Sequence, residues 1–505
     1  MYIPFSPPPG INSDDTTFAA EGRWADANHV RFWNGKPQVI GGWSVLSGGT
    51  LIGQCRNIFP FNRNGVVNVA YGTSNRLLVG ISVSAPGDRT PAGIPLGIAA
   101  WSLAPWGATL LASPQNGKLY AQSGTSTATH VTQAPSQITS MLVTPQRQVL
   151  AFGCNEELSG TFNSLCIRGS DLEDYTDWTT SSTNNAFEHI LDGPGSIVTA
   201  RMVGNYLAVW TDAGLYLGQY LGDPRQTYRF ELVDENCGII GPNAVTVFNQ
   251  TAYWMATDLR LRRWIPGALP EPIPCPISRD FAYHMHSPMR TKTFVCAITR
   301  YGEIWIFYPD TRELTNEPSR YIAYSISESM AAQRPVWFRG KMDRTAMADA
   351  GIMFSALNMF ESSVLAAKSK GGIVSDLLVH EFSMFAGEEP GQRIDWYLYG
   401  ADQYLDESRR RLMVRGVVPD FEDQTGLIHM TISVRDQPQA PAIDKGPYDL
   451  VGPQGGDGWP TTPTRKKDFR ASGKIISVRL AQAEDVYSYM RLGKLVFDAL
   501  PTGER

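Results

Sequence analysis

The 505-residue sequence predicts an all-β fold built largely from repeated hairpins. Three observations carry that reading. Glycine (47) and proline (34) are scattered between short apolar runs rather than clustered, which is the punctuation of a chain with many turns. One design recurs along the chain: an apolar strand, a polar or glycine turn, a second apolar strand. Hydrophobic residues make up 43% and charged residues 18%, enough to fill sizeable cores.

A chain of this length exceeds a single core, so two or three domains are expected. Residues 1–50 read as an N-terminal docking arm. Pro7, Pro8 and Pro9 followed by Gly10 disfavour regular structure, and the stretch to Trp43 carries polar turns and isolated aromatics. Such a segment either packs on its own domain or docks on a neighbouring subunit.

Residues 51–375 carry the repeat. VVNVAYGTSNRLLVGIS, ATLLASPQNGKLYAQ, YLAVWTDAGLYLGQY, TAYWMATDLRLRRW and FVCAITRYGEIWIFY are copies, and VLAFGCNEELSGTFNSLCIRG is a less regular one. The second residue of each returning strand falls at Leu77, Leu119, Leu165, Leu215, Leu259 and Ile304, spacings of 42 to 50 residues. A further copy is either Ile352 or Ile373. One hairpin cannot bury its own apolar face, and radial stacking of four-stranded blades solves that. The period therefore predicts a β-propeller of six or seven blades. Glu361 to Lys368 is the best helix signal, one or two turns.

Residues 376–505 change character and read as a C-terminal β-sandwich-like domain. RIDWYLYGADQYLD, VRGVVPDF, GLIHMTISVRD, GKIISVRL and YMRLGKLVF are its strands, with period-two alternation at Leu427, His429, Thr431 and Ser433. Gln437 to Thr464, rich in Pro and Gly, reads as a loop.

Signals of chemistry are sparse. No phosphate-binding glycine loop, GxSxG, HExxH or zinc spacing is present, so no catalytic residue, metal or cofactor is expected. His284 and His286 sit two apart near Cys275, but two ligands do not make a metal site. Six cysteines without paired spacing predict buried free thiols. The acidic run SDLEDYTDWTT (Ser170 to Thr180) is the most enzyme-like segment. Its carboxylates can serve glycoside hydrolysis, or its Asp171 can cap a turn that Trp178 anchors to a blade. Arg465, Lys466, Lys467 and Arg470 form a basic cluster beside the Pro/Gly loop, a candidate subunit- or DNA-facing loop or simply a solvated one. The net charge of −5 argues against a surface that grips phosphates. No apolar run is long enough to span a membrane, and Met1 to Asn12 lacks the basic and apolar regions of a secretory signal.

Five stretches resemble, in order, motifs of the tail hub or nozzle proteins of short-tailed phages, also called packaged-DNA stabilisation proteins. They are AAEGRWADANHVRFWNGKPQVIGGW, with Arg31, Phe32, Trp33, Asn34, Gly35, Gly41, Gly42 and Trp43; GSDLEDYTDWTT, with Asp171 and Trp178; the His380–Glu381 element; and the C-terminal pair VVPDFEDQTG (Pro419, Asp420, Phe421) and RLGKLVFDALPTGER (Arg491, Gly493). The resemblance implies a structural virion protein and no enzyme. Such a protein forms a ring, commonly a homo-hexamer, around the DNA exit channel of the virion tail, assembled in the host cytoplasm. Its implied partners are its own copies, the portal-adaptor protein, tail fibre or needle proteins, and double-stranded DNA passing through the lumen without sequence specificity. The residues alone leave an alternative, a glycan-binding or glycan-cleaving propeller.

Overall fold

A computed structural model describes residues 1–81, 85–223, 226–349, 364–370, 374–381, 394–404, 410–451, 464–483 and 488–502. Among these residues the strands form seven four-stranded antiparallel sheets and two six-stranded ones. The chain is a seven-bladed β-propeller joined to a β-sandwich.

Blade 1 is Cys55–Arg63, Val66–Thr73, Leu77–Ile81 and Gly87–Asp88. Blades 2 to 6 follow in sequence, their first strands being Trp101–Trp106, Ile138–Val143, Ile197–Val203, Val245–Phe248 and Phe294–Ile298. These innermost strands pack side by side around the axis. Their neighbours Leu110–Ala112, Val149–Phe152 and Leu207–Trp210 are fully buried between blades. That is why the repeat reads as continuous apolar runs rather than clean alternation.

The hairpin ruler shifts by one strand at its end. Leu77, Leu165 and Leu215 lie on third strands, and Leu119 and Leu259 lie one and two residues ahead of such strands, but Ile304 lies on a second strand, Glu303–Tyr308. FVCAITRYGEIWIFY is therefore the first hairpin of blade 6, not its second. Both turns are short and both strands are apolar, so pattern alone does not distinguish the two hairpins. Ile352 and Ile373 lie outside the described residues.

Blade 7 combines both halves of the sequence. Its strands are Ala346–Asp349, Val364–Lys370, Val374–Glu381 and, as the outer strand, Gly42–Ile52. The propeller thus extends to Glu381 rather than ending at 375, and an N-terminal strand closes it. Val364 to Lys368, expected as helix, is strand. Val364 to Ala367 are buried against neighbouring blades, and tertiary packing overrides a weak helix signal.

The expectation of a separate docking arm over 1–50 is corrected as well. Tyr2–Phe5, Val30–Trp33 and Lys36–Val39 belong to one sandwich sheet, with Tyr489–Pro501, Leu412–Thr425 and Lys467–Gly473. Trp24–Asn28 belongs to the other, with Tyr397–Gly400, Ile475–Gln482, Leu427–Arg435 and Ile443–Val451. The isolated aromatics of the segment are core residues: Phe5, Trp24 and Phe32 are each at most 2% exposed, and Phe5 meets Trp24 and Phe497 edge to face. Tyr2–Phe5 and Trp24–Asn28 pair far along the chain, and a single short hairpin, Val30–Trp33 with Lys36–Val39, leaves no repeating local period to read.

Ile443–Val451, expected within a loop, is an edge strand on Leu427–Arg435. Almost every residue in it is exposed, so it shows no buried face, and Pro447 lies where only an edge strand tolerates proline. The alternation over Leu427–Arg435 holds, with Ile428, Met430, Ile432 and Val434 facing inward.

If residues 1–40 are core, Trp24→Ala lowers the unfolding free energy in urea by about 3–5 kcal/mol. A loss under about 1 kcal/mol would mean that the segment lies on the domain without completing it.

Candidate functional site

Most of the motif residues lie at three structural joints, of which the first spans propeller and sandwich, the second closes the propeller and the third lies within the sandwich. The first joint is the hairpin Val30–Trp33/Lys36–Val39. Asn34 and Gly35 form its two-residue turn, both with positive φ (50° and 74°), the geometry that Asn-Gly favours. This turn points at blade 6. The backbone N–H groups of Asn34 and Gly35 donate to the two carboxylate oxygens of Glu328 at 2.7 and 2.9 Å. Glu328 lies in α2 (Ile326–Ala332), whose first turn is capped by the Ser325 hydroxyl. Trp33 packs edge to face on Tyr301, with ring centroids 5.0 Å apart.

Arg31, on the same hairpin, enters the blade. Its Nη2 lies 3.3 Å from Oε2 of Glu303, and both side chains are at most 2% exposed. The guanidinium sits 3.7 Å over the ring of Tyr301. Trp305 Nε1 donates to the same Glu303 oxygen at 2.8 Å. Burial pushes the Glu303 carboxyl up, and Arg31 and Trp305 only partly oppose it. Desolvation of this size makes the intact pair a poor source of net stability, but leaving either member alone is costly.

A wider ionic network continues across the joint. Asp26 accepts from Arg339 on the outer strand of blade 6 at 2.9 Å and from the Tyr397 hydroxyl of the sandwich at 2.9 Å. Arg339 also reaches Asp280, which pairs with Arg312 and with His284. Asp14 accepts from the backbone of Ser278 and Arg279 at the start of α1 (Ser278–His284), between blades 5 and 6. The N-terminal segment therefore runs around blade 6 and covers the outer edge that this blade would otherwise expose.

The second joint is the closing blade. Gly42 pairs with Glu381 and Trp43 with His380, so the sequence motifs nearest the two ends of the propeller are backbone neighbours. Trp43 is 3% exposed and lies under the Arg344 guanidinium, 4.4 Å from ring centroid to Cζ. The third joint is the sandwich pair Leu412–Thr425/Tyr489–Pro501. Pro419 opposes Leu495, Asp420 opposes Lys494 and Phe421 opposes Leu492. Gly493 is the unpaired residue of a bulge there, and a Cβ on it would meet the Asp420 carboxylate at 2.7 Å. Arg491 pairs with Glu422 at 3.0 Å, and Lys36 of the N-terminal hairpin shares that carboxylate at 3.1 Å.

The acidic run forms a turn between the third and fourth strands of blade 3. Asp171 Oδ1 accepts from the N–H groups of Leu172 and Asn185, both at 2.8 Å. Asp174 accepts from Thr176, and Asp177 from Thr179 and Asn184. Trp178 is 1% exposed and donates to the Tyr175 carbonyl at 2.8 Å. These carboxylates are engaged with their own turn.

The basic cluster lies on and just before Lys467–Gly473, the edge strand of its sheet opposite the N-terminal hairpin. Lys466 is paired with Asp468 at 3.1 Å and Asp498 at 3.0 Å, and Asp498 also holds Arg415. Arg465 and Arg470 are exposed and have no ionic partner among the described residues. All six cysteines are free thiols, and burial pushes Cys55, Cys237, Cys275 and Cys296 up to about 12. Among the described residues no group of three His, Cys, Asp or Glu side chains is arranged to hold a metal, and no helix is long and apolar enough to cross a membrane.

One end of the propeller axis is occupied. Arg56 of blade 1 makes two hydrogen bonds to Glu317 of blade 6, one at 2.9 Å, and Lys292 binds the same carboxylate at 2.7 Å. Blades 1 and 6 are not neighbours, so this contact spans the mouth of the axis. Asn243, ahead of blade 5, also bonds the Arg56 carbonyl at 3.1 Å.

Glu303, Glu328, Asp280 and Glu317 escaped the sequence reading. Glu303 alone left a trace: it is the lone carboxylate in the apolar strand EIWIFY, and an ionised group in such a strand requires a cationic partner.

The virginiamycin B lyase of Staphylococcus aureus is similar in structure to this chain, at 9% identity and a TM-score of 0.41, covering 66% of this chain and 98% of that one. The Cps50 (Swd1) β-propeller domain of Myceliophteria thermophila is similar at 12% identity and 0.41, covering 66% and 99%. BamB of Moraxella catarrhalis is similar at 11% and 0.38, covering 70% and 96%. No family model and no curated protein matches the sequence.

Two measurements test these joints. In a double-mutant cycle Arg31→Met alone costs about 3–5 kcal/mol, and Arg31→Met with Glu303→Gln costs less than the two single changes added; strict additivity would mean that the pair does not form. For Glu317, burial raises the pKa but Arg56 and Lys292 outweigh it, leaving it below the usual glutamate value. Its stabilisation is present above the unfolded-state pKa and fades as pH falls through the lower folded-state value. Glu317→Gln should therefore cost about 2 kcal/mol at neutral pH, with the difference from wild type vanishing in acid. A pH-independent difference would contradict the ionic account.

Proposed function

We propose that this chain is a structural virion protein of a short-tailed phage, one subunit of a tail hub or nozzle ring around the DNA exit channel. In this reading the ring, a hexamer, connects the portal-adaptor protein to tail fibre or needle proteins, helps retain the genome, and then passes it without reading sequence. One observation carries the proposal: most of the resemblance residues, drawn from separate parts of the sequence, meet at structural joints. Arg31 to Gly35 dock on blade 6, Gly42–Trp43 pair with His380–Glu381, and Pro419–Phe421 pair with the strand holding Arg491 and Gly493. Chance matches to short motifs would scatter over the fold.

Two further features favour this reading over a glycan-directed propeller. The carboxylates of Asp171, Asp174 and Asp177 are engaged by turn N–H groups, and Arg56, Glu317 and Lys292 fill one mouth of the axis, a common place for a propeller ligand. A duplex-sized opening then has to be built between copies, as in a ring. The net charge of −5 suits a channel that DNA slides through.

Electron microscopy of the purified chain, alone and mixed with the portal-adaptor protein, tests the proposal. Rings with a duplex-wide lumen are expected. A persistent monomer that binds or cleaves glycans would overturn it. Replacing Arg465, Lys467 and Arg470 with alanine should leave the melting temperature unchanged and reduce ring assembly or DNA retention; unchanged assembly and retention would dismiss that loop's role.

A further inference from the structure

Blades 5 and 6 do not close against each other completely. Between them lies a cleft of about 360 Å³ with Tyr253, Arg263 and Glu271 on one wall and Tyr324, Met330 and Arg334 on the other. Pro272, Ile273 and Pro335 supply apolar surface.

Two features of this cleft suit a ligand. Tyr253 and Tyr324 are 6% and 8% exposed, and neither hydroxyl has a hydrogen-bond partner among the described residues. Each hydroxyl oxygen retains contact with the cleft rather than being sealed in protein. Both hydroxyls therefore stand as donors at the cleft surface, where water or a ligand group completes their hydrogen bonds. Burial and the nearby Tyr324 push the Tyr253 phenol up, so it stays protonated as a donor at neutral pH.

The second feature is unbalanced charge. Arg334 spends one donor on the Pro9 carbonyl at 2.8 Å, and no carboxylate pairs with it among the described residues. Burial, and to a smaller degree the positive charge of Arg23, push its guanidinium down. Arg263 has Glu271 at 2.9 Å, so of the two arginines lining the cleft Arg334 is the one without a carboxylate. Two phenol donors and an excess of guanidinium in a half-apolar cleft are complementary to a carboxylate.

The surroundings favour a peptide over a free ion. Met330 is 76% exposed on the connection between the third and fourth strands of blade 6. Ile265 (55%) and Leu269 (72%) are exposed on the equivalent connection of blade 5. Equivalent connections of neighbouring blades lie on one face of a propeller, so apolar side chains stand on both blades that form the cleft.

We propose that this cleft is a docking site for an extended segment of a partner protein, which inserts a carboxylate side chain between Arg334, Arg263 and the two tyrosine hydroxyls and lays flanking aliphatic residues on the exposed apolar rim. The site is independent of the ring reading, and its test does not require assembly.

The test is isothermal titration of the full chain with Ac-Gly-Leu-Glu-Leu-Gly-NH2, with its Gln counterpart, and with inorganic phosphate. Saturable binding of the Glu peptide is expected, with the Gln peptide weaker by about tenfold or more and phosphate weaker still. Tyr253→Phe removes one hydroxyl without altering the fold and should weaken the Glu peptide roughly three- to tenfold. Arg334→Gln should weaken it at least as much. Absence of saturable binding, equal binding of the Glu and Gln peptides, phosphate binding as tightly as peptide, or indifference to both substitutions would each overturn the proposal.

Discussion

The buried contact between Arg31 and Glu303 fixes how the two halves of this protein relate. A guanidinium and a carboxylate, both almost fully out of water, can be held only where every surrounding element is in place. Here those elements are the N-terminal hairpin of the sandwich and the second strand of blade 6. Tyr301 covers the cation and Trp305 donates to the anion. The pair is better understood as a specificity device than as a source of net stability. It allows one seating of the hairpin on the blade, and Glu328 beneath the Asn34–Gly35 turn reinforces that seating.

From this anchor the path of the chain follows. Residues 2–39 supply four strands to the sandwich, and the chain then leaves to become the outer strand of blade 7. A propeller needs its last blade tied to its first residues, because an open ring would leave two unmatched blade faces. Along this chain the closing strand Gly42–Ile52 follows four strands that belong to the other domain. Neither domain is contiguous in sequence. The Asp26–Arg339–Asp280 network and the Asp14 contact with α1 extend the same joint around blade 6.

The sequence is legible where structure is local. The blade hairpins announce themselves because each joins neighbouring apolar runs through a short turn, and Asn34–Gly35 declares its own two-residue turn. It is opaque where partners are distant. Nothing near Trp24 indicates that its strand pairs with Tyr397–Gly400, and nothing near Gly42 indicates Glu381. Ile443–Val451 was hidden for a different reason: with almost no residue buried, it has no pattern to display. At the candidate sites, the motif residues were visible as letters, but their acidic counterparts Glu303 and Glu328 sit in blade 6 without a motif of their own. The tyrosines of the cleft between blades 5 and 6 carry no motif, since which side chains line a cleft is a property of three dimensions.

The central claim is that a discontinuous N-terminal segment makes propeller and sandwich one cooperative body. Differential scanning calorimetry measures this directly. The account predicts one transition whose calorimetric enthalpy equals its van't Hoff enthalpy, because neither domain retains its full set of strands once the other unfolds. Two separate transitions, with the propeller or the sandwich surviving alone, would contradict it.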